Sequence, residues 1–384
     1  MMEEVNNCIM LLIICFRNRL HLKSTDMKLL YITNGVTGSG GLERVLSVKA
    51  SVLAEEFGYE VHLLSLNEIG KDTFFDFSEK VRKHGITVNG NPIQYFSQYQ
   101  NGIQKVVDEV QPDLISVCDD ALKGFFLPLI IKTKSKWVYE SHASLLLNDS
   151  GSGIPFKKKI QHHLKQVLGK HFSKVILLTD GNKKEWQLKN VVVIPNPAPF
   201  ETSQLATLRH KKIIAVGSYS FNKGYDLLIK IWAKLELDFP EWELDVYGRE
   251  TRKNLQPLAE KLNLKNIHFH EPVTDIGEKY VDSSIMVLPS RSEGFGMVLI
   301  EAMTFGIPAI SFDCPNGPKN IISNGKDGFL IENGNTGEFA EKMKLLMLNE
   351  NLRKEMGGNA TQNVQRFSAK RVVDRWDVLF RGLV

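Results

Sequence analysis

Short apolar runs alternate with amphipathic segments along most of the chain, beginning at Met27. Apolar runs without polar alternation are typical of parallel strands that are buried on both faces. Amphipathic segments such as 42–57 and 225–235 predict helices between them. The strands are predicted in two series, over 29–33, 60–66, 113–117, 136–140 and 175–179, and over 212–217, 243–248, 267–270, 285–289 and 308–312. Two such series predict an α/β protein with two doubly wound, Rossmann-like domains.

The break between the two series lies near 193–212, where prolines and polar residues interrupt the alternation. We therefore predict a first domain over 27–200, a second over 201–365, and a final helix over 366–384 that returns to the first. The length of 384 residues agrees with two domains, because single cores rarely grow beyond roughly 300 residues. Open parallel sheets bind ligands at the carboxyl ends of their strands, so two facing sheets would enclose a cleft.

Residues 1–26 need a separate interpretation. Their apolar run, 9–16, is far shorter than the roughly 20 residues that a membrane-spanning helix needs. Glu3 and Glu4 precede that run, where a secretory signal would carry positive charge. We predict a peripheral extension or an upstream start codon, and a weak membrane anchor is the alternative.

Composition narrows the class of protein. A hydrophobic content of 43% and a charged content of 24% are typical of a soluble globular protein. The formal net charge of +4 is too small to indicate a nucleic-acid partner. The four cysteines are scattered, which favours a reducing cytoplasm over a disulfide framework, and no histidine or cysteine group has metal-ligand spacing. We expect a cytoplasmic protein that needs neither metal nor cofactor.

A glycine-rich turn follows the first predicted strand. GSGGLE (38–43) supplies two glycines of the dinucleotide pattern G-x-G-x-x-G, but Glu43 stands in place of the third, so we predict no dinucleotide site. Gly40 and Gly41 leave a bare helix N-terminus, where backbone amides could face an anion or a sugar. A tight strand-to-helix turn without a ligand is the alternative.

Two glutamates flank another bare helix start. Glu293 lies in the loop SRSEGFG, whereas Glu301 lies eight positions later inside the helix 297–305. That separation is roughly 12 Å along a helix, longer than the roughly 5–9.5 Å between paired carboxylates at one glycosidic bond. The two carboxylates therefore suit different parts of one long ligand. Carboxylates bind diols, and the amides of 295–297 suit phosphate, so the pattern predicts a nucleotide sugar.

Several blocks of the chain resemble one family. They are the G-G-x-E-R-V sequence from Gly40, VGSYSFNKG (216–224), VLPSRSEGFGMVLIEAMTFGIPAI (287–310) and DCPNGPKNIISNGKDGFLI (313–331). Together they resemble the retaining glycosyltransferases of the GT-B fold with a glutamate–seven–glutamate motif, glycosyltransferase family 4. The resemblance covers nearly all of 27–384 and implies two Rossmann-like domains facing each other across a cleft.

The resemblance also implies roles for individual residues. Glu301 would hold the ribose hydroxyls and Glu293 the transferred sugar, while Lys223 would neutralise the diphosphate. His142, just after the strand 136–140, matches a histidine that relatives hold against the sugar. The amides of Phe295, Gly296 and Met297 would assist Lys223.

One position departs from the family pattern. Ser218 stands where many relatives carry an arginine of the cationic clamp. Arg249 and Arg291 each follow a predicted strand, and we prefer Arg291 as the replacement, although an ordinary surface position is the alternative for either one. Val273 lies in the loop that borders the nucleobase in relatives.

The substrates are implied by the resemblance alone. The donor would be a UDP-linked hexose or N-acetylhexosamine, and the acceptor a lipid-linked saccharide or another cell-envelope glycan. No D-x-D motif occurs, so we expect metal-independent transfer, by front-face attack or through a covalent intermediate on Glu293. A nucleotide-sugar epimerase and a non-catalytic nucleotide-sugar-binding protein are the alternatives.

The segment 156–174 is basic and amphipathic. No carboxylate occurs between Asp149 and Asp180, and apolar residues recur at helical spacing. One interpretation is a helix packed on the first domain, and the other is a helix that contacts anionic lipid on the inner face of the cytoplasmic membrane. The residues concerned are Lys157, Lys158, Lys159, Lys165, Lys170 and Lys174, with Ile160, Leu164, Val167, Leu168 and Phe172.

Overall fold

A computed structural model describes residues 27–145, 156–249 and 255–384. The strands are β1 (Lys28–Thr33), β2 (Glu60–Leu66), β3 (Arg82–Ile86), β4 (Leu114–Cys118), β5 (Lys136–Glu140), β6 (Lys174–Leu177), β7 (Val191–Val193), β8 (Lys212–Val216), β9 (Glu243–Tyr247), β10 (Ile267–His270), β11 (Ile285–Leu288), β12 (Ala309–Asp313) and β13 (Gly328–Glu332). Our interpretation of residues 1–26 lies outside the described residues.

The α-helices fall between the strands and after the last one. They are α1 (Gly41–Glu56), α2 (Pro92–Val110), α3 (Leu122–Phe125), α4 (Leu127–Ile130), α5 (Phe156–Leu168), α6 (Tyr225–Trp232), α7 (Leu255–Lys261), α8 (Ile276–Val281), α9 (Met297–Thr304), α10 (Pro318–Ile321), α11 (Thr336–Leu348), α12 (Glu350–Val364) and α13 (Ala369–Arg381). Single 3₁₀ turns occupy Gly169–His171, Asn182–Glu185, Phe221–Lys223 and Gln365–Phe367. No helix in the described part of the chain is long and apolar enough to span a bilayer.

The strands form two parallel sheets, which confirms the predicted fold class. The first has the order β3-β2-β1-β4-β5-β6-β7 and the second the order β10-β9-β8-β11-β12-β13. Leu30 of β1, for example, pairs with His62 of β2 and Ile115 of β4. Strand order reverses at β1/β4 in one sheet and at β8/β11 in the other. These reversals mark the crevices where doubly wound sheets bind ligands.

The ten predicted strands are confirmed to within two residues at each end, whereas β3, β7 and β13 were missed. β3 and β7 are edge strands with few fully buried positions, so they lack the continuous apolar run of a central strand. β7 also adjoins the segment that we read as the domain break. β13 is buried but follows the last run that we assigned.

The last helix, α13, packs on the first sheet rather than the second. Val372, Val373, Trp376 and Phe380 are buried in the same cluster as residues of β1, β2 and α1. The chain therefore crosses between the two domains twice, once in the connection after β7 and once before α13.

Candidate active site

A cleft of about 480 Å³ lies between the two domains, within the range of small-molecule sites. Residues of both sheets line it, at the two points where strand order reverses. Of the predicted site residues, those that line it are Gly40, Gly41, His142, Ser218, Lys223, Arg249, Val273, Glu293, Phe295, Gly296, Met297 and Glu301. Arg291 is not among the described lining residues.

Lys223 and Glu293 form an ion pair on the floor of the cleft. The ammonium of Lys223 lies 2.7 Å from Glu293 Oε1, and the hydroxyl of Ser290 donates to the same oxygen at 2.6 Å. Gly224, with φ of 69°, lets the Lys223 turn pack against β11, since a Cβ there would lie 2.0 Å from the Pro289 carbonyl oxygen. The resemblance implies separate ligand contacts for these two residues, and the structure shows that they also pair with each other.

Glu301 projects from the second turn of α9 and is buried. The Tyr280 hydroxyl donates to its Oε2 at 2.9 Å, and Arg44 Nε lies 3.9 Å from its Oε1. Burial raises the pKa of Glu301, although the positive charge of Arg44 and the Tyr280 hydrogen bond oppose that rise. The sequence motif G-G-x-E-R-V contained Arg44, but we assigned it no role. The position of Arg44, one turn into a helix that follows a glycine loop, could have indicated that it belongs to the site.

The N-terminus of α9 faces the cleft without a side-chain cap from the described residues. Gly296 at its start has φ of 98°, a conformation that favours glycine. Other glycines let backbone approach backbone closely here: a Cβ on Gly294 would lie 2.6 Å from the His142 carbonyl oxygen, and one on Gly317 would lie 2.3 Å from that of Phe295. A bare helix end of this kind carries partial positive charge and suits an anion.

His142 lies across the cleft from this helix end, on the first domain. Its Nε2 is 3.3 Å from Glu140 Oε2, and Glu140 also pairs with the fully buried Lys49 and accepts from the Ser116 hydroxyl at 2.5 Å. Burial alone would raise the pKa of Glu140, but Lys49 and His142 outweigh it and hold the pKa at about 2. A charged network therefore stands directly behind His142.

The same region contains a group of potential metal ligands that sequence spacing did not reveal. Cys118, Glu140 and His142 offer ligand atoms within 4.8 Å of one another. Glu140 and His142 are two positions apart, whereas Cys118 is 22 positions before Glu140 and reaches them because β4 pairs with β5. Since Lys49 already occupies the Glu140 carboxylate, the arrangement is that of a buried ion pair rather than an open cation site.

The structure gives Arg291, our preferred replacement for the missing cation, a partner outside the cleft lining. Its guanidinium is bidentate to Asp226, with two contacts of 2.7 Å, and it stacks on the Phe221 ring. Arg249 lines the cleft instead, with a guanidinium nitrogen 3.2 Å from the place that a Cβ would take on Gly40. The Glu43 carboxylate lies 2.5 Å from that same place, so Arg249 faces the cleft beside an acidic side chain of the first domain. Arg249 can reach an anion between the domains from there, whereas Arg291 does not line the cleft.

The basic segment forms α5 over Phe156–Leu168, followed by a 3₁₀ turn and the start of β6. Leu168 and Phe172 are buried, whereas Ile160 and Val167 are exposed. Lys165 does not point outward: its ammonium donates to the Asp120 carbonyl at 2.7 Å, and burial lowers its pKa. The helix therefore extends from the molecular surface to the rim of the cleft.

Comparison with known proteins identifies the family. Residues 201–363 match the model of the family "Glycosyl transferases group 1". An uncharacterized glycosyltransferase of Haemophilus influenzae is 30% identical over 91% of this chain and 98% of its own length. The chain belongs to the group 1 glycosyltransferases.

Two further comparisons agree with this membership. The amylovoran biosynthesis glycosyltransferase AmsD of Erwinia amylovora is 27% identical over 91% of this chain and 98% of its own length. Among solved structures, a mutant of S. aureus TarM in complex with fondaparinux, α-GlcNAc-glycerol and UDP superposes with a TM-score of 0.78, at 15% identity, over 92% of this chain and 99% of its own. The group 1 glycosyltransferase described here is thus an enzyme of GT-B fold.

The two arginines allow a paired test. We expect Arg249→Gln to weaken UDP binding by roughly 10- to 100-fold, as removal of a charge-assisted phosphate contact would. Arg291→Gln should leave the affinity within about twofold, because its partner is Asp226. Titration calorimetry with UDP measures both, and thermal unfolding controls for folding. A loss confined to Arg291→Gln would show that this assignment is reversed.

Proposed function

We propose that this enzyme transfers a hexose or N-acetylhexosamine, with retention of configuration, from a UDP-linked donor to a cell-envelope glycan or a lipid-linked saccharide. One observation carries the donor class. Glu293 and Glu301, both buried, lie on either side of the uncapped N-terminus of α9, and Lys223 stands beside the first of them. That order of carboxylate, positive helix end and carboxylate fits sugar, diphosphate and ribose.

In this proposal the two ends of the donor are held differently. Glu301 accepts hydrogen bonds from the ribose hydroxyls, with Tyr280 fixing the orientation of its carboxylate. Glu293 accepts hydrogen bonds from the transferred sugar, and its pairing with Lys223 and Ser290 restricts its rotamer before the donor arrives. Pre-oriented groups of this kind lower the entropic cost of binding.

The departure of the nucleoside diphosphate is the step that needs charge stabilisation. Negative charge grows on the leaving phosphate, and Lys223, Arg249 and the N-terminus of α9 present positive charge to the cleft. Fixed groups in a water-poor cleft stabilise such charge without reorganising. In front-face transfer the same phosphate takes the proton of the attacking hydroxyl, and His142 bounds the sugar on the opposite side.

The acceptor class rests on similarity and remains part of the proposal. AmsD is named for the biosynthesis of amylovoran, and the TarM structure contains UDP and α-GlcNAc-glycerol. Both are consistent with a UDP-linked donor and a surface-glycan acceptor for the present chain.

Transfer should not depend on a divalent cation, because Lys223, Arg249 and a helix end carry the charge and the sequence has no D-x-D motif. To test this, the purified enzyme is mixed with radiolabelled UDP-sugars and with lipid-linked saccharides or glycans as acceptors, in the presence and in the absence of EDTA. We expect labelled acceptor to form at the same rate in both conditions, and NMR of the product should show that the anomeric configuration of the sugar is retained.

If EDTA abolished transfer and manganese restored it, the reaction would depend on a metal. If the product had the inverted configuration, the proposal of retention would be wrong. An isomerised donor, or binding without any reaction, would instead favour an epimerase or a non-catalytic protein.

We further propose that α5 contacts the anionic inner face of the cytoplasmic membrane. Phe156, at 79% exposure, and Ile160, at 44%, are large apolar side chains one helical turn apart, and Lys157 and Lys159 beside them are exposed. An interfacial helix buries such an apolar face while its lysines meet anionic headgroups, each contributing roughly 1 kcal/mol. Because Lys165 of the same helix reaches the cleft rim at Asp120, a lipid-linked acceptor would arrive next to the site.

Liposome co-sedimentation tests the membrane contact. Binding should require anionic lipid, weaken with salt, and fall several-fold in Lys157→Glu/Lys159→Glu because two attractive charges become repulsive. The matched control is Lys132→Glu/Lys134→Glu, which makes the same charge change on exposed residues before β5. If both double variants sediment equally, net charge rather than α5 governs binding, and the proposed surface is wrong.

A further inference from the structure

Arg44 is the residue of the first domain that reaches a key carboxylate of the second. It lies in the first turn of α1, and the carbon at the centre of its guanidinium lies over the ring of Phe75, at 4.2 Å, and over the ring of Phe200, at 4.8 Å. From there its Nε approaches Glu301 Oε1 to 3.9 Å. Phe75 belongs to the loop after β2, and Phe200 to the connection between the domains, so three separate segments fix the arginine.

The stacking leaves the edge of the guanidinium available. An arginine that stacks flat on aromatic faces still directs its N–H groups outward in the plane, which lysine cannot do. The Arg44 side chain is only 15% exposed, so its charge acts on Glu301 through little water. This contact crosses the cleft at the glutamate that the proposed function assigns to the ribose.

The surroundings of Glu301 show what Arg44 supplies. Three described groups act on its carboxylate: Arg44 from α1, Tyr280 from α8, and Lys223 from the turn after β8. Tyr280 contributes a neutral donor, and Lys223 is engaged with Glu293. Burial raises the pKa of Glu301, and Arg44 is the strongest opposing influence. A carboxyl that took up a proton would lose acceptor capacity for a ribose diol.

We propose that Arg44 is a positioning residue for donor recognition: it holds the Glu301 carboxylate ready for the ribose, so that a residue of the first domain completes the nucleotide site of the second. The inference rests on the proposed function, because it assigns the ribose to Glu301. The inference adds that Arg44, a residue of the first domain, governs nucleotide affinity. Arg44 does so by orienting the Glu301 carboxylate rather than by binding the phosphates of the nucleotide.

The test is a double-mutant cycle on UDP affinity. By titration calorimetry, Arg44→Gln should bind UDP about tenfold more weakly than the unmodified enzyme, as expected for a desolvated charge pair. In the background of Glu301→Gln, the same substitution should change the affinity by less than about twofold, because its target is gone. Arg82→Gln is the control: it removes an arginine of the same domain that pairs with Glu60 on the exposed sheet edge.

The pH dependence separates this role from a loss of packing. Removing Arg44 raises the pKa of Glu301 further, so the affinity deficit of Arg44→Gln, relative to the unmodified enzyme, should be larger near about pH 6 than near about pH 8. Arg44→Lys keeps the charge and should lose affinity by a similar factor at both pH values. Arg44→Lys also replaces Arg44→Gln in the cycle if thermal unfolding shows that the glutamine variant does not fold. In that case the loss of UDP affinity caused by Arg44→Lys should disappear in the Glu301→Gln background.

Each outcome decides between the two proposals. The role of Arg44 would be overturned by any of three results. Arg44→Gln could bind UDP as tightly as the unmodified enzyme, its loss of UDP affinity could be independent of pH, or that loss could be the same with and without the Glu301 carboxylate. If the unmodified enzyme bound neither UDP nor any of GDP, ADP and TDP, the proposed function itself would fall, and the role of Arg44 with it.

Discussion

The exposed N-terminus of α9 is the constraint on which the rest of the site depends. The helix follows β11 after the loop 289–296, at the reversal of strand order in the second sheet, and its N-terminal residues line the cleft. A side-chain cap would fill the space of a ligand, and the chain instead uses Gly296 in a left-handed conformation. Glu293 lies in the loop before this end and Glu301 in the second turn of the helix, so the glycine turn and the helix together set their positions. The chemistry of the cleft is therefore set by one strand–turn–helix unit.

The first domain completes the site through a few polar contacts. Besides Arg44 and Glu301, Asn316 Nδ2 donates to Glu185 Oε1 at 2.5 Å, and Glu185 also accepts from the Ser144 hydroxyl and the Leu145 amide. Glu185 lies in the 3₁₀ turn after β6 and Asn316 in the loop after β12, so these two segments meet at the domain boundary.

The sequence predicted those features that depend on local pattern. Central parallel strands are apolar throughout because both faces are buried, so their positions and the two-domain fold were readable. The glutamate pair was readable because the glycine turn and the helix start between the two residues have a recognisable local pattern. Edge strands such as β3 could not be predicted from an apolar run, because much of their surface faces water.

Contacts between distant residues could not be predicted in this way. Arg291 pairs with Asp226, 65 positions earlier, and nothing local to either residue indicates that partnership. Lys165 follows an amphipathic pattern that places it with the other lysines, yet it turns inward to Asp120. In both cases a tertiary partner decided whether a basic side chain faced solvent, the cleft or another residue.

The central claim is that Glu301 and Glu293 bind opposite ends of one nucleotide sugar, and a comparison of two ligands tests it most directly. Titration calorimetry measures the affinity of the Glu301→Gln and Glu293→Gln variants for two ligands. The first ligand is UDP, and the second is a non-hydrolysable analogue of the UDP-sugar donor. Glu301→Gln should weaken both ligands by the same factor, since both contain the ribose. Glu293→Gln should leave UDP affinity undiminished and remove the affinity that the sugar adds. Equal losses of UDP affinity in the two variants would contradict the account.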